Sequence, residues 1–515
     1  MRSALRHGFR AGFCHCSLIE LLSTVNGKWK RRAPSTIHRL LFTMTIPTPK
    51  AVLRFDAGTL VLDGVDKSFQ PPASFRWDER VRRWRAPAWS YRHIIREFIS
   101  REIPYEDNAR SYHQFDFPTK LLVEPRPYQQ EAINEWRRAQ RCGVVILPTG
   151  AGKSLVAQMA IEQVKRSTLV VGPTIDLMNQ WYDLLLSCFQ AELGLIGGGF
   201  YEVGALTVTT YASAFRFMER LGSQFGLVIF DECHHLPSSI YRYAAELAIA
   251  PFRLGLTATP ERTDGADSLF EQLIGPIVFR REIHELAGEY LADYSIVRIN
   301  VELSAEERAA YEREREIFRR FLLEKGIGLS SLHGWQMFIA LSARSEGGRR
   351  AMLAYRESKR VALGTDAKLR VLTELLQRHR RDRVLIFTAE NEMVYRISER
   401  FLIPAITHET NIKERRQWLE AFNKGDVLAL ATSKVLNEGV NIPDASVAII
   451  LSGSGSSREH IQRLGRILRK RPDKEAILYE VVTRDTTEEH ISRRRSGGDQ
   501  FRDTTEQSGE PMLMR

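Results

Sequence analysis

Residues 147–154 read LPTGAGKS, and residues 230–235 read FDECHH; each follows a short β-branched run, GVVIL or LVIF. A glycine-rich turn between a strand and a Lys-Ser pair suits phosphate binding. Glycines let backbone N–H groups turn inward, and the N-terminus of the following helix favours an anion. In such a cradle Thr149, Gly150 and Gly152 line the turn, Lys153 reaches the β- and γ-phosphates of a nucleotide, and Ser154 holds Mg²⁺. Leu147 stands where the strict pattern has glycine. A carboxylate leaving an apolar strand beside a phosphate loop serves the same Mg²⁺, and an adjacent one polarises the attacking water; Asp231 and Glu232 fit those roles. Alone, the first stretch reads equally as a helix-capping turn and the second as a solvated turn. Together they point to nucleotide hydrolysis.

Further along, GLTATP (255–260) puts small hydroxyl residues at a strand end, and HIQRLGRILRK (460–470) repeats Arg463, Arg466 and Arg469 at helical spacing. A solvated basic face has the same spacing. Gln462 and the Gly465-Arg466 pair suit a cluster that faces phosphate, with arginines completing the site only when two lobes close.

These residues need strands to present them. Candidate strands fall at 144–147, 169–171, 206–209, 227–230 and 254–257, and a second series at 384–387, 428–431, 447–451 and 476–482. Helical stretches alternate with them, which predicts an α/β chain with two parallel sheets covered on both faces. Before the first series, AVLRFDAGTLVLDG alternates apolar and polar residues, and FRWDERVRRWRAPAWSYRHIIREFISREI passes from aromatic strands into an amphipathic helix. Between the two series, residues 303–360 are charge-dense and lack strand signals, which predicts a helical insertion. After about residue 492 few apolar residues remain, and that tail is expected to be disordered.

A chain of 515 residues with 43% hydrophobic content can form two or three cored domains. No apolar run approaches the ~18 residues of a membrane-crossing helix. The five cysteines have no framework spacing, which favours a reducing, cytoplasmic setting. Cys14-His-Cys16 has no second ligand pair to make a zinc site. The formal charge of +11 is concentrated at the start, where residues 1–43 carry eight Lys and Arg against Glu20 alone. That segment has the composition of a transit peptide, but Met44-Thr-Ile-Pro opens a different, strand-like text and favours a start at Met44.

The motifs as a set resemble superfamily 2 helicases, most closely the XPB-type DNA helicases of archaea and bacteria. The resemblance spans roughly residues 51–492. It rests on RPYQQEA (126–132), LPTGAGKS, VVGPTIDLMNQW (170–181), TVTTYASA (207–214), FDECHHLP, APFRLGLTATP, VLIFTAEN, FLIPAITHET (401–410), NEGVNIPDA and SGSGSSREHIQRLGRILR, in that order. The double histidine after DEC and the SGSGS run before QRLGR separate it from DEAD-box RNA helicases.

This resemblance implies two RecA-like, doubly wound lobes (116–299 and 364–492), a small α+β domain like the family's damage-recognition domain (44–115), and a thumb-like helical insertion (300–363). Residues 1–43 and 493–515 stand outside it. It implies that Gln129 reads adenine with Arg126 supporting the turn, that Gly439 belongs to the second-lobe nucleotide motif, and that Glu232, Gln462, Arg466 and Arg469 act in catalysis. Thr174, Thr209, Arg262 and Asp264 would touch DNA, a single strand or fork. A nuclease partner and a monomeric, nucleoid-associated protein are further implications. Two positions depart from the family: Thr263 replaces the glutamate of an Arg-Glu-Asp motif used in duplex opening, and Asn441 replaces an aspartate. Three readings remain open: a 3′–5′ DNA helicase in repair or transcription-linked remodelling, a duplex translocase or RNA unwinder, and a DNA-binding scaffold for a nuclease.

Overall fold

In the computed structural model, residues 51–116, 118–120, 123–258, 268–291, 293–329, 332–433, 445–453, 475–496 and 503–505 are described. Strand Cys142–Ile146, reading CGVVI, is an inner strand of a parallel sheet, one place from its edge; valine and isoleucine pack well on a pleated surface covered on both sides. The order across this sheet is Ile277–Arg280, Cys142–Ile146, Phe252–Thr257, Leu227–Asp231, Thr168–Gly172, Leu206–Thr210, Leu193–Gly197 and Phe200–Glu202. All pairs are parallel except the last, an edge hairpin. Val144, Leu169, Val228 and Phe230 face one apolar cluster; Val145, Val170, Ile229 and Leu254 face another. The alternation along each strand therefore feeds two cores, one under each helical layer.

The second sheet runs Ala405–Ile406, Ala429–Thr432, Val384–Phe387, Val447–Ile450, Glu475–Thr483, Asp293–Val301 and Asp503–Thr505, every pair parallel. Two features differ from the sequence reading. Strand Asp293–Val301, most of it expected with the first lobe, pairs along its whole length with Glu475–Thr483 in the second sheet. Asp503–Thr505, expected to be disordered, adds to the outer edge of that strand. Sheet membership is set by partners distant in sequence, which a local apolar pattern does not identify.

Three helices follow: Ala305–Glu324, Leu332–Arg344 and Glu346–Gly364. Ser304 opens the first with a capping box, its hydroxyl accepting from Glu307 N while Glu307 accepts from Ser304 N. Phe318, Phe321 and Phe338 pack with Ala351 and Ala354 into a small core of their own. Their base is tied to the second sheet: Thr483 donates to Ala362 O at 2.7 Å, and Tyr311 Oη accepts from Thr487 N at 2.9 Å. Beneath it Lys368 and Glu488, both fully buried, pair at 2.6 Å, and Lys368 also donates to Leu451 O at 2.5 Å.

The N-terminal five-stranded sheet, ordered Arg76–Asp78, Arg83–Pro87, Thr59–Asp63, Ala51–Asp56 and Tyr105–Asn108, packs on helix Tyr91–Ser100. Ile249 of the first lobe enters its core, and Arg92 crosses to donate to Pro251 O and Gln140 O at 2.8 and 2.7 Å. Among the described residues no helix is long and apolar enough to cross a membrane.

Arg253, inside the strand Phe252–Thr257, is the main buried cation of the first lobe. It donates to Ala250 O, Leu273 O and Ala248 O at 3.2, 2.5 and 2.7 Å, and burial pulls its guanidinium down to about 10. Removing it strands three carbonyls, each costing about 1–3 kcal/mol. Arg253→Met should therefore lower stability by about 3 kcal/mol or more, read as an earlier denaturation midpoint in urea. An unchanged midpoint would mean that the carbonyls find other donors.

Candidate active site

The turn after Cys142–Ile146 is anchored where Leu147 N donates to Thr257 O at 3.0 Å. Gly150 and Gly152 have φ of 88° and 77°, a conformation that disfavours side chains, and helix Lys153–Val164 starts directly after them. A Cβ at Gly152 would collide with the Gln129 amide. Lys153 Nζ sits over the turn, donating to Leu147 O at 3.3 Å, and is 3.8 Å from Glu232 Oε1. Thr149 Oγ1 is buried with no hydrogen-bond partner, a free polar atom inside the cradle.

Asp231 ends the strand Leu227–Asp231 and is 7% exposed. Its Oδ2 accepts from Trp181 Nε1 at 2.8 Å and its Oδ1 from Glu232 N at 3.0 Å. Burial first, then the neighbouring Glu232 charge, push its carboxyl up to about 6, against the pull of Lys153. Glu232 adopts φ 46°, ψ 52°, a left-handed conformation rare for a side-chain-bearing residue. Its Oε2 is buried without a hydrogen bond and lies 3.4 Å from His234 Nδ1. His234 is fully buried, and the same Nδ1 is 3.0 Å from Thr257 Oγ1. The carboxylate pair is thus connected to the end of the adjacent strand, where TATP begins. Cys233 between them is inert, since burial pushes its thiol well above the usual range.

The expected nucleotide residues Arg126 and Gln129 converge on the same turn. Gln129 Oε1 accepts from Arg126 N at 2.9 Å, and its Nε2 donates to Ala151 O and Gly152 O at 2.9 and 3.3 Å. Both amide protons are used, leaving one oxygen lone pair to accept from an exocyclic amine. Arg126 donates to Tyr290 O at 2.8 Å, and Tyr128 Oη donates to Ala151 O at 2.7 Å.

On the other half of the sheet edge, Thr174 caps helix Ile175–Cys188, its hydroxyl accepting from Leu177 N at 3.2 Å. Thr209 departs from the expected DNA contact: it is fully buried and donates to Ile196 O at 2.8 Å. Its strand is packed on both faces, so the hydroxyl at the edge belongs to the next residue, Thr210, which caps helix Tyr211–Leu221. Asp176, two residues past Thr174, meets Arg415 of the second lobe at 3.4 Å. Sequence reasoning missed Trp181, Tyr128 and the His234–Thr257 link; the first two lie within motifs already noted, and the third needs two adjacent strands.

Three family models match the chain. The xeroderma pigmentosum group B helicase damage recognition domain covers residues 53–109, the type III restriction enzyme res subunit 122–262, and the helicase conserved C-terminal domain 367–471. A Sulfurisphaera tokodaii protein named DNA 3′-5′ translocase XPB2 is 41% identical over 86% of this chain and 99% of its own length. The chain belongs to the XPB helicase family. A Kineococcus radiotolerans relative, DNA 3′-5′ helicase XPB, is 32% identical over 72% of this chain and 62% of that protein. The Pyrococcus furiosus Hef helicase domain superposes with a TM-score of 0.52 at 18% identity, over 72% of this chain and 98% of that one, and so shares the fold.

Of the XPB-type residues singled out in the sequence, Gly439, Asn441, Gln462, Arg466 and Arg469 in the second lobe, and Arg262, Thr263 and Asp264 after TATP, lie outside the described residues. Those within the described residues, Thr209 apart, lie along the margin where the first sheet's strands end. The donors fit a magnesium nucleotide: a hydroxyl at Ser154, a carboxylate at Asp231, an amine at Lys153 and unpartnered polar atoms on Thr149 and Glu232. Among the described residues no cluster of three His, Cys, Asp or Glu forms a metal site. Mg²⁺ shared with phosphates needs only one or two protein ligands.

A clamp on phosphate acts on the bound ground state, whereas a base acts on the attacking water. Lys153→Ala should weaken ATP binding by about tenfold or more. Glu232→Gln should keep ATP affinity and lose turnover by about 10²-fold or more. Equilibrium nucleotide binding and steady-state hydrolysis separate the two, and near-normal turnover in Glu232→Gln would remove Glu232 as the base.

Proposed function

We propose that this chain is an ATP-dependent DNA helicase or translocase of 3′–5′ polarity, acting in DNA repair or transcription-linked remodelling. The observation that carries the reading is the Lys153, Asp231 and Glu232 constellation, joined through His234 to Thr257 on a sheet whose other half presents capped helix N-termini. Lys153 and the turn's N–H groups bind the β- and γ-phosphates, and Ser154 and Asp231 would hold Mg²⁺, which neutralises phosphate charge when bound. Glu232 orients the attacking water and takes its proton. The family resemblance gives Arg466 and Arg469, with Gln462, the role of stabilising charge on the transferred phosphoryl group. Gln129 accepts from the adenine amine while keeping its hold on the turn. Helix N-termini grip a strand by its backbone without reading sequence.

Translocation with little strand separation is a second reading. The relative covered almost end to end is named a translocase, and Thr263 lacks the charge and reach of the family's glutamate.

ATP hydrolysis measured with single-stranded DNA, duplex, forked DNA and RNA, alongside strand displacement on the fork, tests both readings. DNA-stimulated hydrolysis with strand displacement supports the helicase, and stimulation without it the translocase. Equal rates with and without every nucleic acid would overturn both. Arg466→Ala should bind ATP normally and lose about 10³-fold in hydrolysis at saturating DNA; normal hydrolysis would assign the basic stretch 460–470 to another role.

A further inference from the structure

The edge hairpin Leu193–Gly197 and Phe200–Glu202 carries aromatic side chains that the fold does not need. Phe200 is 57% exposed and Tyr201 50%, and Ile175, next to the hairpin's turn at Gly198, is 43% exposed. The hairpin turns through Gly197, Gly198 and Gly199, all with positive φ, and nothing stands within 4 Å of where a Gly199 side chain would begin. The turn is pressed against the first residues of the neighbouring helices: a side chain at Gly198 would touch Ile175 at 3.6 Å. Tyr201 leans on Phe217 of helix Tyr211–Leu221, ring centroids 4.9 Å apart. Alternation along the strand turns Phe200 to the opposite side, that of Ile175. Ile175 in turn directly follows Thr174, the hydroxyl cap of its helix.

We propose that Phe200, backed by Ile175, is a stacking platform for one base of the single strand whose backbone passes the N-terminus of helix Ile175–Cys188. This rests on the proposed DNA-tracking function and adds a base contact to it. Two observations favour a nucleic-acid base over a protein partner. The exposed ring is continuous with the sheet edge that ends in Thr174 and Thr210, where strands Thr168–Gly172, Leu206–Thr210 and Leu193–Gly197 finish side by side. The surface is aromatic rather than aliphatic, and a ring face accepts any base, as a sequence-blind motor requires.

Phe200 is at an exposed edge, so Phe200→Ala should fold with an unchanged melting curve. Binding of the full chain to oligo-dT, followed by anisotropy, should weaken roughly tenfold to a hundredfold. The DNA concentration for half-maximal ATPase stimulation should rise in parallel, with the maximal rate kept. Phe200→Trp should restore affinity, and its indole emission should be quenched on binding. Replacing the dT tract with abasic sugar-phosphate should weaken wild type more than Phe200→Ala, because the variant has already lost the stack. Phe200→Ala with wild-type affinity on both tracts would overturn the platform while leaving the helicase reading intact. Wild type that fails to bind oligo-dT at all would overturn the DNA-tracking function itself.

Discussion

A parallel sheet buried on both faces leaves its chemistry one place to go. In the first lobe the central strands are closed off above and below by helices, so polar groups with work to do collect where the strands run out. The phosphate turn, the Asp231–Glu232 pair, Thr257 and the caps at Thr174 and Thr210 all lie along that single margin. Strand order then decides who neighbours whom. Cys142–Ile146, Phe252–Thr257 and Leu227–Asp231 are adjacent and gather the nucleotide residues, while Thr168–Gly172, Leu206–Thr210 and Leu193–Gly197 gather the other set. The boundary between the two sets falls between Leu227–Asp231 and Thr168–Gly172, and Trp181, from the helix after the second strand, reaches across it to Asp231.

Electrostatics at the nucleotide half is unbalanced by design. Two carboxylates in consecutive residues share one lysine, and burial has already raised one of them. Glu232 is held in a left-handed conformation, a strain of order 1 kcal/mol that its surroundings must sustain. A fixed arrangement short of positive charge is ready for a divalent cation and for arginines, and its polarisation strengthens as water is excluded.

Much of this was legible in sequence because apolar β-branched runs are local signals. Leu227–Asp231 and Val384–Phe387 read as strands directly, and LPTGAGKS and FDECHH fell at strand ends as expected. What escaped depended on partners far along the chain. The resemblance put Thr209 against DNA, but its strand is covered on both sides. Asp293–Val301 follows the first lobe in order, yet belongs to the second by pairing with residues about 180 positions later. The strand Phe200–Glu202 is exposed along its length at the sheet's edge, so it carries no buried apolar alternation to mark it in sequence. Gln129's bonds to the turn require two segments that only the fold brings together.

That misassigned strand has a mechanical meaning. Asp293–Val301 runs through the second sheet and continues within a few residues into helix Ala305–Glu324, while Glu307, Tyr311 and Ala362 bind the same framework at Thr365, Thr487 and Thr483. The helical insertion is therefore bolted to the second sheet as an outrigger. Its first helix has 20 residues, a lever arm of about 30 Å. Each degree by which that sheet turns sweeps the far end through about 0.5 Å, so the insertion magnifies any rotation of the sheet that carries it.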